Sequence, residues 1–368
     1  HTVRETLDTS LNVSREIVEA RIANGEHYVI RFKTPVNETL HLQDIIRGEV
    51  NFETNLLDDK VLFKSDGMPT YHLANIVDDH LMETSHVIRG EEWLPSMPLH
   101  VMLYRAFGWE APEFAHLPLI LKPVGNGKLS KRDGDKLGFP VFPLEWKTAE
   151  GTSKGYKEAG FFPEAVINFL ALLGWNDGTE QEIFSLEELV EKFDLKRIHK
   201  SGAKFDPEKN KWFNHQYLQK QTDASLAEAF KVILEEKGIS TSLDITRVVA
   251  SIKERANFVT ELWDLSDYFF VAPTSYDEKA AKNWKEETPE LMKKVIEQLQ
   301  NIEDFTSLNI ETLLKEWMTT NEIGMGKVMQ PLRLSLVGAL KGPHLFDIIE
   351  MIGKTETVSR IEKAILTL

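Results

Sequence analysis

The chain has 368 residues, 27% of them charged, with 43 basic against 58 acidic side chains and a formal charge of −15. At roughly 150 residues per domain this supports two or three domains, each burying its own apolar core, and excludes a disordered tail or a disulfide miniprotein. Cysteine is absent, which removes thiol nucleophiles, cysteine-held zinc, iron–sulfur clusters and disulfides together and leaves the redox compartment open.

In chain order, residues 13–24 place Val13, Ile17, Val18 and Ile22 at helical spacing and stop at Asn24-Gly25, a short helix with its cap. Residues 27–32 (HYVIRF) alternate and are β-rich, and residues 61–63 form another short strand, closed by the turn Ser65-Asp66-Gly67-Met68-Pro69. The period then switches. Residues 71–82 (YHLANIVDDHLM) align Leu73, Ile76, Val77 and Leu81 on one helical face, followed by a strand at 86–88, a helix at 98–107 and a strand at 117–121. Helix, strand, helix, strand with short connections predicts parallel strands and right-handed crossovers, the second half of a doubly wound parallel sheet in an α/β domain. Sheets of this kind bind ligands at the carboxyl ends of their strands.

Residues 122–138 form a loop holding Lys122, Lys128, Lys131, Arg132 and Lys136 against Asp133 and Asp135. From residue 164 onward the sequence reads as all-α. Residues 164–173 are strongly apolar, Ser185 with Glu188 makes a capping box, and 225–236 and 291–299 are amphipathic. A second positive island, 192–211, carries Lys192, Lys196, Arg197, Lys200, Lys204, Lys209 and Lys211 against Asp194, Asp206 and Glu208. The overall acidic surplus argues against a uniformly basic nucleic-acid surface, so any phosphate contact falls to these two islands. There is no internal repeat, and Pro273-Thr274 is a weak linker candidate.

The loop Gly125-Asn126-Gly127-Lys128-Leu129-Ser130-Lys131-Arg132 supplies lysines three apart on a glycine-flanked segment after a parallel strand. Ammonium groups there suit the charge that develops on a triphosphate during in-line displacement, although a solvated basic turn has the same composition. It is not a Walker loop. Tyr71 and Asn75, four apart on a helix, reach one side together; packing and capping would explain them as well. Arg89 ends a strand where a guanidinium could grip a carboxylate in bidentate fashion or pair with Glu91 or Glu92. Asp78-Asp79-His80 occupy adjacent helical positions that face apart, so structural hydrogen bonding outweighs a shared metal ion.

Lys128-Leu129-Ser130-Lys131-Arg132 resembles the second signature of class I aminoacyl-tRNA synthetases, Lys-Met-Ser-Lys-Ser, in a form ending Lys-Arg. Its surroundings, Ser65-Asp66-Gly67, PTYHLAN at 69–75, VDDHLM at 77–82, HVIRGEEW at 86–93 and AHLPL at 115–119, are similar to those of bacterial glutamyl-tRNA synthetases. The likeness continues through 163–175, 184–195, 205–209, 325–333 (MGKVMQPLR) and 345–354, covering nearly the whole chain in the family's order.

The resemblance implies a Rossmann-like catalytic fold followed by helical stem-contact and anticodon-binding domains. It implies that Tyr71, His72, Leu73, Ala74 and Asn75, with Arg89, bind glutamate. Glu92, Trp93, Ile120, Lys128, Leu129, Ser130, Lys131 and Arg132 bind ATP, and Lys131 with Lys128 acts catalytically. It implies ATP with Mg²⁺ as the substrate complex, L-glutamate and a glutamate-specific tRNA as partners, no zinc, no membrane, a monomer and a cytoplasmic location. The corresponding divisions are 1–59 for the remainder of an acceptor-end-binding insert, 60–138 for the second half of the nucleotide-binding fold, 139–220 for the stem-contact domain and 221–368 for the anticodon-binding domain.

Members of the family also carry an N-terminal His-x-Gly-His element, and no two histidines here stand three residues apart. Together with His1 in place of Met, this is read as a fragment lacking the first half of the fold and inactive alone. Residues 139–157 fit the family pattern less well, so no site residue is carried across them. The function implied is ATP-dependent ligation of glutamate to tRNA through glutamyl-adenylate; the alternative is a non-catalytic tRNA- or RNA-binding module derived from the synthetase.

Overall fold

The computed structural model describes residues 6–149 and 151–368, with the side chains of Lys131 and Arg132 outside that description. The chain divides into two compact units, the first running up to Gly138 and adding Ile167–Pro207, the second made of Phe139–Val166 and Glu208–Leu368.

In the first unit, Ser14 caps helix α1 (Arg15–Ala23), accepting a hydrogen bond from the Ile17 amide. Strand β1 (Ile30–Arg31) pairs antiparallel with β4 (Val61–Phe63). Between them, β2 (Thr39–Asp44) and β3 (Gly48–Glu53) form a hairpin. With β5 (His86–Gly90) and β6 (Glu113–Leu117) they build a sheet in the order β3-β2-β6-β5. Strands β2, β6 and β5 run parallel and β3 antiparallel. Helix α2 (Tyr71–Leu81) precedes β5, and α3 (Met97–Phe107) is the crossover from β5 to β6. Pro98 opens α3, where its missing N–H costs nothing, and Gly108 closes it at φ 71°, a conformation that favours glycine. The expected apolar stripe of α2 holds at Leu73 and Ile76 and fails at Leu81, which is 72% exposed at the helix end. Ile76 has no exposed surface and meets Leu40, Leu42, Val87, Leu99, Met102, Leu103 and Phe114 in one core cluster. Burying each such side chain contributes about 1.5–3 kcal/mol.

The strand expected over 117–121 is broken. It ends as β6 at Leu117 and resumes as β7 (Ile120–Leu121), because Pro118 has no N–H to give a ladder. The loop expected over 122–138 contains helix α4 (Lys131–Leu137). The all-α reading beyond residue 164 fails at β10 (Ala203–Lys204), which pairs parallel with β7. That pairing needs a glycine at 202, where a Cβ would stand 2.9 Å from the Leu119 carbonyl oxygen. Helix α5 (Pro163–Leu172) and α6 (Leu186–Lys192) follow expectation, and the Ser185–Glu188 capping box is formed in both directions.

The second unit carries a small antiparallel ribbon, β8 (Trp146–Thr148) with β9 (Gly151–Ser153). Otherwise it is a stack of helices from Asp223–Glu236 to Lys354–Thr367. Phe230, Val248, Leu262, Met292, Leu314, Leu332 and Ile361 fill one core. Arg360 is buried in it, donating to the carbonyls of Tyr268 (2.5 Å) and Leu336 (2.9 Å) and to Glu356 (2.7 Å). No boundary falls at Pro273-Thr274: the unit is continuous there, and the Asp277 amide bonds to the Gly338 carbonyl at 2.8 Å.

Candidate active site

Arg89 lies at the carboxyl end of β5, opposite His116 in β6. Its Nη2 donates to the Tyr71 hydroxyl and, at 2.9 Å, to Asn75 Oδ1. The guanidinium carbon stands 5.2 Å from the Tyr71 ring centre and 5.0 Å from that of Trp93. The two rings are 5.0 Å apart and tilted by 43°. One turn of α2, the end of β5 and the 3₁₀ segment Glu91–Ser96 therefore converge on one guanidinium. Neither expected salt bridge forms, because Glu91 turns to Arg47 and Glu92 to Lys128. Arg89 keeps a positive charge held by neutral groups, an arrangement that fits an incoming carboxylate.

The Lys-Leu-Ser-Lys-Arg segment sits on a tight hairpin. The Lys122 amide donates to the Gly127 carbonyl at 3.1 Å and the Leu129 amide to the Ile120 carbonyl at 2.8 Å. Lys128 is ion-paired with Glu92, and the lysine holds the Glu92 carboxyl below its usual range. Ser130 donates to Asp133 from its hydroxyl (2.6 Å) and its amide (2.8 Å), capping α4. The hydroxyl, the amide and then Lys122, 3.1 Å away, keep the Asp133 pKa down to about 2. The backbone puts Lys131 and Arg132 in the first turn of α4; their expected side-chain contacts lie outside the described residues.

The other expected residues scatter. His72 turns beneath the cluster, its Nδ1 3.0 Å from Nε2 of His100. Burial drives the His100 pKa down to about 3, with Arg89 adding to the effect, and lowers that of His72 as well. Leu73 packs on the core. Ala74 is half-buried, and Ile120 is exposed. Asp78, Asp79 and His80 do not gather; the His80 ring stacks on Trp109 with centres 3.9 Å apart.

The second positive island spans the boundary between the two units at Pro207 and Glu208. Within the first unit Lys192 is held by Asp177 and Gln181 (3.0 Å each), Arg197 bonds to the Asp177 carbonyl, and Lys200 bonds to the Arg47 carbonyl (3.2 Å). In the second, Lys209 lies 3.9 Å over the Trp212 ring.

Four residues that sequence reasoning missed organise the strand ends. Asp44, fully buried at the end of β2, accepts from the amides of Ile46 (3.0 Å) and Arg47 (2.8 Å) and contacts His116 Nδ1 at 2.7 Å. Arg47 and Glu91 form the ion pair beside it at 2.6 Å. Spacings of 72 and 44 residues leave no local signal; only the oddity of an inward-facing aspartate in an alternating strand (Leu40, Leu42, Asp44) marks the place.

A mostly parallel layer with polar groups at its carboxyl edge, followed in sequence by a helical unit, agrees with the class to which the chain's family matches assign it, the class I aminoacyl-tRNA synthetases. Residues 2–212 match the family of class I tRNA synthetases for E and Q, catalytic domain, and residues 222–365 the anticodon binding domain. The chain is 83% identical to the glutamate–tRNA ligase of Flavobacterium psychrophilum, over all of this chain and 74% of that protein. It is 60% identical to that of Christiangramia forsetii, over 99% and 73%. The solved glutamate tRNA ligase of Elizabethkingia meningosepticum, in complex with its amino acid, superposes with a TM-score of 0.96 at 52% identity, covering 100% of this chain and 74% of that one. This chain belongs to the glutamate–tRNA ligase family, whose reaction is tRNA aminoacylation.

Proposed function

We propose that the Arg89 cluster is the glutamate site and that the hairpin ending in α4 is the triphosphate site of a ligase working through glutamyl-adenylate. The observation that carries this is the Arg89 guanidinium, fixed by Tyr71 and Asn75 and faced by Trp93, with no carboxylate paired to it among the described residues. Arg89 binds the side-chain carboxylate of glutamate, leaving the α-carboxylate to attack the α-phosphorus of Mg·ATP. The new bond is carboxyl oxygen to phosphorus, and the bond that breaks releases pyrophosphate. A ribose hydroxyl of the tRNA then takes the glutamyl carbon and AMP leaves. The protein supplies position and charge, with Lys131 and Lys128 opposing the charge that builds on the departing pyrophosphate. His72, Leu73 and Ala74 belong to the glutamate-side helix, and Glu92, Trp93, Ile120, Leu129, Ser130 and Arg132 to the ATP side.

The division of labour we infer has the acceptor end met within residues 1–59, the catalytic fold in 60–138, the stem in 139–220 and the anticodon in 221–368. The β2–β3 hairpin joins the same sheet as β5 and β6, so the acceptor-end contact falls on the rest of the first division. The protein works as a monomer in the cytoplasm with glutamate, ATP and tRNA. The 368 residues contain no His-x-Gly-His pair, so they do not complete adenylation alone. Glutamate-dependent ATP–pyrophosphate exchange by these 368 residues, beside the same residues preceded by a segment carrying that element, tests the reading. Exchange only in the longer protein supports it, and exchange in neither overturns it.

A further inference from the structure

The two lobes of the proposed site are joined by adjacent carboxylates with different targets. Glu92 reaches forward to Lys128, on the return strand of the hairpin opposite Leu121. Glu91 reaches the near end, its Oε1 accepting from the Leu119 amide at 3.3 Å just before β7, while Oε2 meets Arg47 Nη2 at 2.6 Å. Arg47 does more than neutralise Glu91. Its Nε donates to the His116 carbonyl at 3.1 Å, at the end of β6, and its Nη1 to the Lys200 carbonyl at 2.6 Å, in the segment leading to β10. Lys200 Nζ returns a bond to the Arg47 carbonyl at 3.2 Å. The segment so held runs through Gly202 into β10, whose Ala203 amide bonds the Leu119 carbonyl at 3.2 Å and whose neighbour Phe205 bonds the Leu121 carbonyl at 3.0 Å. One guanidinium thus ties β6, the 3₁₀ segment after Arg89 and the strand that backs the hairpin, and the Arg47 side chain is only 17% exposed.

We propose that Arg47, acting through Glu91, is a positioning residue that sets the signature hairpin relative to the Arg89 cluster. This rests on the site assignment proposed above. It follows from the donor geometry: the planar fork spreads its N–H vectors over Nε, Nη1 and Nη2, each meeting a different element, whereas the three donors of an ammonium share one nitrogen. Removing the fork frees β7 from β6 and also strands the Glu91 carboxylate without a cation. That negative charge, two residues from Trp93 and beside the triphosphate site, opposes phosphate binding. The expected signature is therefore on the ATP side, with glutamate binding, fixed by Tyr71 and Asn75, left as it is.

The test compares wild type, Arg47→Ala, Arg47→Lys, Glu91→Gln and the double variant Arg47→Ala/Glu91→Gln in the protein preceded by the His-x-Gly-His segment. Two readouts are taken: pyrophosphate exchange at varied ATP and varied glutamate, and amide hydrogen exchange of residues 119–129. Arg47→Ala should raise the KM for ATP or lower kcat by about tenfold or more with the KM for glutamate within about twofold, and Arg47→Lys should recover little. The double variant should regain part of the loss, because no carboxylate is left unpaired. Amides of Leu119 and Leu129 should exchange faster in Arg47→Ala and Arg47→Lys. Unchanged ATP kinetics and unchanged amide exchange in Arg47→Ala overturn the proposal, as does a loss shared equally by both substrates. If wild type itself shows no exchange reaction, the site assignment fails, and the amide exchange still decides whether Arg47 holds the hairpin.

Discussion

Asn75 Oδ1 accepts a hydrogen bond from Arg89 Nη2 at 2.9 Å, so an amide on α2 fixes the direction of a guanidinium at the end of β5. The bond is neutral on one side only, and it spends none of the arginine's charge. Asn75→Ala should leave Arg89 present but free to rotate. The expected result is a rise of about tenfold in the KM for glutamate, on the order of 1.4 kcal/mol, with the KM for ATP unchanged, in steady-state pyrophosphate exchange by the protein preceded by the His-x-Gly-His segment.

Lys131 follows Ser130, whose amide and hydroxyl are locked onto Asp133. Lys131→Ala should lower adenylate formation by roughly 10²-fold or more, with little change in glutamate binding. Single-turnover adenylation measured by rapid quench in the protein preceded by the His-x-Gly-His segment checks this, and a rate equal to wild type removes Lys131 from the mechanism.

His100 is 3% exposed, and burial has moved its pKa down to about 3 from an ordinary 6.5. The folded state therefore resists the proton that the unfolded state takes up below pH 6.5. The stability from keeping His100 neutral is whole above pH 6.5 and drains away as pH falls toward 3, by an amount on the order of 2–4 kcal/mol. Urea unfolding of the first unit between pH 7.5 and 4 should show that loss, and His100→Gln should flatten the slope relative to wild type.

Gly202 passes the β7 backbone so closely that a Cβ would lie 2.9 Å from the Leu119 oxygen and 3.0 Å from Leu121 Cγ. Gly202→Ala should cost about 1–3 kcal/mol of stability by forcing β10 from β7, read as a lower urea midpoint. An unchanged midpoint would mean that the backbone shifts there at no cost.

Arg360 satisfies two buried carbonyls in the helical core. Arg360→Met keeps the stem and removes the donors, and should destabilise the second unit by about 2–4 kcal/mol. Calorimetry of the whole chain should show a lowered transition for that unit alone.

Much of the catalytic layer was legible because its helices and strands announce themselves by period. The stripe through Leu73 and Ile76 and the Ser185–Glu188 box needed no tertiary information, whereas Leu81, at the end of the same stripe, is exposed. The β2–β3 hairpin was not legible, since its inward positions are Leu40, Leu42 and Asp44, two apolar residues and a carboxylate rather than a run. The positive islands were legible as composition, but not the partners from distant segments that engage Lys128, Lys192 and Lys200. The same distance hid Arg47, whose meaning lies in three elements that the sequence separates widely. A salt titration of tRNA binding should accordingly give a shallow slope, reflecting a few contacts rather than all the lysines of both islands.

In the site proposed above, Arg89 reads the glutamate carboxylate. The direct measurement is glutamate-dependent ATP–pyrophosphate exchange by wild type and Arg89→Lys, each in the protein preceded by the His-x-Gly-His segment. A lysine keeps the charge and loses the fork, so kcat/KM for glutamate should fall roughly 10²-fold, about 2.7 kcal/mol, while the KM for ATP stays within about twofold. An Arg89→Lys protein with wild-type kcat/KM for glutamate, or one whose loss falls on ATP instead, would contradict the account.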